Sequence, residues 1–96
     1  MYLIEPSVIK ASDSVTHKFV IDMVNPITLA YPTPHRLGLV IINQLAKIYV
    51  KLGSSAAFDD YSYVLGRNTT LELDYAGQVT AIADAAPSTV MVTETY

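Results

Sequence analysis

Arg36–Leu52 reads RLGLVIINQLAKIYVKL. In an extended chain Leu37, Leu39, Ile41 and Asn43 fall on one side, and Gly38, Val40 and Ile42 on the other. After Asn43-Gln44 the alternation resumes. Ile48, Val50 and Leu52 share a side, with Lys47, Tyr49 and Lys51 opposite. A two-residue period in β-branched and aromatic residues specifies strand. Two such runs around a short polar break predict an antiparallel hairpin. The first run is apolar on both faces, which places it inside a sheet. Leu37, Leu39 and Ile41 are the expected core residues. The face carrying Tyr49 and Lys51 is expected to meet water or a neighbour.

Outward from this stretch the same grammar recurs. Val15–Val24 alternates, with Val15, His17, Phe19, Ile21 and Met23 on the expected inner side and Asn25-Pro26 ending the strand. Ile27–Arg36 holds two prolines and reads as an extended crossover between sheets. Gly53–Ala57 is a small-residue loop. Short strands are expected from Tyr61 to Leu65, Thr69 to Asp74, Gln78 to Ala83 and Thr89 to Glu94, with turns at Gly66-Arg67-Asn68 and Tyr75-Ala76-Gly77. No segment sustains a helical period. The expected fold is all-β: a compact antiparallel β-sandwich or small jelly-roll-like barrel of seven or eight short strands. Residues 15–96 form its single domain. Residues 1–14, with the apolar tip Tyr2-Leu3-Ile4, form an N-terminal arm or an edge strand.

Composition narrows the function classes. The chain is 51% hydrophobic and 16% charged, against a usual charged share of about 25%. So few charges on a small domain imply apolar surface buried against copies of itself or a partner. Net charge is −3, and the six Lys and Arg residues are scattered singly. A phosphate-binding patch is therefore absent from the pattern, and no nucleic-acid partner is expected. There are no cysteines, which excludes disulfides, thiol catalysis and cysteine-ligated zinc. The longest apolar run, Leu37–Ile42, is far too short for a membrane span, and the N-terminus lacks the basic region of a signal peptide.

Candidate chemistry is sparse. Asp59-Asp60 is the one acidic pair, and adjacent strand residues point to opposite faces. Calcium ligation there would lack the spacing of an EF-hand loop. His17 lies on the apolar side of its strand, and His35 sits between Pro34 and Arg36. Neither adjoins a G-x-S-x-G nucleophile motif. No enzyme activity, cofactor or metal is expected. The seven tyrosines offer an apolar body with a polar tip, which suits interfaces. The candidate contact residues are Tyr2, Leu3, Ile4, Tyr49, Lys51, Tyr61 and Tyr63. An alternative is a carbohydrate-binding or host-attachment module that uses Tyr61 and Tyr63 with Asp59 and Asp60.

From Val15 onward the sequence resembles small virion proteins of tailed bacteriophages. The pieces that carry the likeness are HRLGLVIIN (His35–Asn43), IYVKLGSSA (Ile48–Ala56), DYSYVL (Asp60–Leu65), TTLELDYAGQVTAI (Thr69–Ile82) and VMVTE (Val90–Glu94), in this order. The resemblance implies a β-sandwich on the virion, assembled in the host cytoplasm. It implies a capsid cement or decoration protein, or a neck, tail or head-fibre component. It also implies a homo-oligomer, with a trimer favoured. The expected partner is the major capsid protein or another virion protein. The family carries no catalytic motif, so no catalytic residue follows from the likeness.

Overall fold

The structure, a computed structural model, describes residues 13–96. Eight strands run through them: β1 (Ser14–Ile21), β2 (Ile27–Ala30), β3 (Gly38–Asn43), β4 (Ile48–Leu52), β5 (Tyr63–Leu65), β6 (Thr69–Leu73), β7 (Val79–Ala83) and β8 (Ser88–Thr95). Sheet I orders them β1-β8-β3-β6 and sheet II β2-β7-β4-β5. Every pairing is antiparallel. The fold is thus the expected all-β sandwich. Six of the seven connections pass from one sheet to the other, and only β4 and β5 are both consecutive and paired. This winding is that of a jelly roll.

Period-two patterning supplies the core. Leu39 and Ile41 on β3, Val90 and Val92 on β8, Ile48 and Val50 on β4, and Val79, Ala81 and Ala83 on β7 are all removed from water. Burying each of the larger aliphatic side chains contributes about 1.5–3 kcal/mol relative to exposure.

The hairpin expected over Arg36–Leu52 does not form. β3 lies inside sheet I, between β8 and β6, as its two apolar faces require. However, β4 belongs to sheet II, between β7 and β5. The break Gln44–Lys47 contains no residue at positive φ, and the tight two-residue hairpin turns demand one. Splitting the two strands lets Leu39 and Ile41 bury against the same core as Ile48 and Val50. Leu37, expected in the core, precedes β3 at the end of the sandwich and is 47% exposed.

β1 also departs from expectation. It stops at Ile21, not Val24, because the Asp22 carboxylate accepts the backbone N–H groups of Val24 and Asn25, both at 2.9 Å, and turns the chain. Of the expected inner set Ile21 is buried and Phe19 and Met23 are half-buried, while Val15 and His17 are exposed. β1 is an eight-residue edge strand, and β2, one edge of sheet II, has only four residues. Ile27–Ala30 pairs with β7 as β2, so only the remainder of Ile27–Arg36 makes the irregular crossing. β5 begins at Tyr63, not Tyr61. Asn68 takes φ 58° in the expected turn.

One buried polar side chain closes each end of the sandwich. At one end the Arg36 side chain, fully buried, spends all its donors. Nε and Nη2 reach the Tyr75 carbonyl at 3.1 and 2.9 Å, Nη2 the Gly77 carbonyl at 2.6 Å, and Nη1 the Tyr31 carbonyl and Glu94 Oε1, both at 2.9 Å. At the other end Asn43 Nδ2 donates to the carbonyls of Ala46, Leu65 and Gly66 at 2.7, 3.1 and 2.8 Å. Ser88 Oγ donates to Asn43 Oδ1 at 2.5 Å and accepts the Ala46 N–H at 3.0 Å.

Candidate functional site

The outer face of sheet II carries the most chemistry-bearing cluster among the described residues. It begins with the alternation of β4. Ile48 and Val50 point into the core, so Tyr49 and Lys51 point out. Register places Ile82 and Thr80 of β7 and Val64 of β5 beside them on that face.

The β4–β5 loop then folds back over this face. Gly53 at φ 135° and Ser55 at φ 64° make the reversal, in conformations that glycine tolerates best. Thr80 Oγ1 ties the loop down, donating to the Gly53 carbonyl at 2.9 Å and accepting the Ala56 N–H at 3.1 Å. This is why Thr80 and Ile82, on the outside of a sheet, are nevertheless buried. Ala57 and Asp60 exchange backbone hydrogen bonds at 3.0 and 3.1 Å. The tight turn between them holds Phe58 out over β4.

Three rings meet there. Tyr49 lies 4.7 Å from Tyr61, tilted at 40°, and 5.8 Å from Phe58 in an edge-on arrangement. Both geometries suit aromatic quadrupoles. Phe58 is 51% and Tyr61 44% exposed. Ion pairs flank the rings. Lys51 pairs with Asp60. Lys47 Nζ lies 3.3 Å from Asp84 and 5.7 Å from the centre of the Tyr49 ring, and the Tyr49 hydroxyl donates to Asp84 Oδ1 at 3.2 Å. The hydrogen bond and charge of Asp84 raise the Lys47 pKa above its ordinary value, so the ammonium is retained. The surface therefore has an apolar aromatic centre and a charged, internally satisfied rim.

Of the sequence candidates, the structure brings Tyr49, Lys51 and Tyr61 together. Tyr63 is opposite Val50 in the β4–β5 register, which puts its side chain on the core-facing side of an edge strand, away from the cluster. Tyr2, Leu3 and Ile4 lie outside the described residues. Asp59 is exposed, and Asp60 serves Lys51. His17, 6.3 Å from the Phe19 ring, and His35 are both exposed. Among the described residues no three His, Asp or Glu side chains gather into a metal site. Phe58 was not among the candidates, although a lone large aromatic following Ala56-Ala57 was a usable signal.

Comparison with known protein families, with curated proteins and with solved structures finds no match for this chain.

Proposed function

We propose that the chain is a structural, non-enzymatic virion protein that attaches to a phage head as a capsid cement, through the outer face of sheet II. The observation behind this reading is the Phe58–Tyr49–Tyr61 cluster inside its rim of ion pairs. Aromatic anchors at the centre of a patch with a polar surround are the anatomy of a protein contact surface. The rings stand on a core strand and a loop pinned at Thr80, so little side-chain freedom remains to be lost on binding. The partner class, a major capsid protein or another virion protein, comes from the likeness of His35–Asn43, Ile48–Ala56 and Thr69–Ile82 to phage virion proteins.

The test is binding to undecorated heads, read by co-sedimentation. The Phe58→Ala/Tyr61→Ala double variant is expected to weaken binding by about a hundredfold, at ~1–2 kcal/mol for each anchor lost, with an unchanged circular dichroism spectrum. Full occupancy of the heads by that variant would overturn the reading. A glycan-array signal from the wild type that Tyr61→Ala abolishes would replace it with sugar attachment.

A further inference from the structure

Sheet I has an outer face that nothing among the described residues covers. Strand register gives its composition. Two cross-strand rows lie side by side, Lys18–Met91–Ile42–Thr70 and Thr16–Thr93–Val40–Glu72. The wet side of an antiparallel sheet is ordinarily polar. Here the centre is Met91, Ile42, Val40 and Thr93, with Ile42 39% exposed, and Val20, 65% exposed, prolongs the apolar strip along β1. The two charges of these rows stand at opposite corners, Lys18 at the start of one and Glu72 at the end of the other. Both are exposed, and neither is ion-paired among the described residues.

We propose that this face binds a second copy of itself, sheet I against sheet I, about a two-fold axis lying in the face and passing through the centre of the four residues. The argument is charge complementarity. A two-fold axis that exchanges the Lys18 corner with the Glu72 corner sets Lys18 of each copy on Glu72 of the other. One contact thereby makes two equivalent ion pairs, as an isologous interface must. The same operation lays Met91 of each copy against Val40 of the other and brings the two Ile42 side chains together beside the axis. The Thr16 and Thr93 hydroxyls already bond each other at 2.8 Å, so burying them gives up fewer hydrogen bonds to water than burying two free hydroxyls would. The aromatic cluster lies on the opposite side of the sandwich and stays open in such a dimer. The pairing therefore stands or falls independently of attachment through sheet II.

Native mass spectrometry and light scattering of the full chain test it. The wild type is expected to be a dimer and Ile42→Arg a monomer. Lys18→Glu and Glu72→Lys are each expected to raise the dissociation constant by about tenfold or more, because each sets like charges together twice. Lys18→Glu/Glu72→Lys restores opposite charges and is expected to recover the wild-type dimer. All these positions are exposed or at the surface of the sheet, and the charge reversals leave the apolar centre intact, so they remain informative if Ile42→Arg misfolds. A wild type that is monomeric at every concentration would overturn the proposal. So would a trimer, a dimer indifferent to these substitutions, or a double variant no tighter than the singles.

Discussion

The Arg36 end and the Asn43 end of the sandwich meet the same demand with different chemistry. At both, loops leave the two sheets and turn their carbonyls inward, where unpaired acceptors are costly. Around Arg36 the segments are longer, residues 31–37 and 74–78, and one guanidinium with five donors reaches three of their carbonyls. Its charge needs an answer, and Glu94, with its side chain 13% exposed, supplies it. Around Asn43 the turns are short. A neutral amide spans them, and a serine hydroxyl completes its bonding. Long reach thus brings a buried charge with it, whereas short turns are served without one. The two ends should therefore fail differently.

Removing Arg36 is the harshest test. Arg36→Leu leaves three carbonyls and the Glu94 carboxylate without their partner. It is expected to cost about 3–5 kcal/mol, read as a lower denaturation midpoint at unchanged slope. Asn43→Ala strands only neutral groups and is expected to cost about 2–3 kcal/mol. An equal or larger loss at Asn43 would break the distinction between a charged and a neutral closure. Ser88→Ala removes one hydroxyl and leaves Asn43 its three carbonyls, for about 1 kcal/mol by the same assay.

The smallest effects are pH-dependent and concern groups outside the two closures. Two backbone N–H groups, Asn25 first and then Val24, lower the Asp22 pKa. Its contribution is present above the unfolded value and fades as pH falls through the lower folded one. The stability gap between wild type and Asp22→Ala should therefore narrow below about pH 4. Lys47 behaves oppositely. Its raised pKa makes its contribution complete below the ordinary lysine value and lost as pH climbs through the folded one. The gap to Lys47→Ala should therefore shrink only in strong alkali.

Strand positions were largely legible in the sequence, because period-two alternation is a local property of the chain. The allocation of strands to sheets was not. β3 and β4 are four residues apart and both apolar inward, a pattern equally consistent with a hairpin and with a crossing. What separates these outcomes is the pairing of β4 with β7 and of β3 with β8, from 27 (Leu52–Val79) to 57 (Gly38–Thr95) positions away. Asn43 left a trace, since an amide on the inner side of Leu39 and Ile41 must find partners. Arg36 left none, because its three carbonyls come from loops without periodicity. The aromatic cluster was half readable. Tyr49 faced outward by alternation, but its meeting with Tyr61 depends on how the 53–62 loop folds back. Tyr63 shows the limit of counting along a chain. Pairing with Val50, not Tyr49, turns it to the other face.

The cross-sheet winding also sets a timetable. β8 is the partner of both β1 and β3, and the bonded hydroxyls of Thr16 and Thr93 are 77 positions apart. Within sheet I only the β3–β6 ladder can form without β8, and a loop of that length must close before β1 gains its partner. Domains dominated by such distant pairings fold in roughly milliseconds to seconds, not microseconds. During synthesis β1 leaves the ribosome long before Ser88–Thr95 exists, with Val15, Phe19 and Ile21 waiting unpaired. Nascent chains of this protein should therefore depend on dilution or chaperones until that final segment is released.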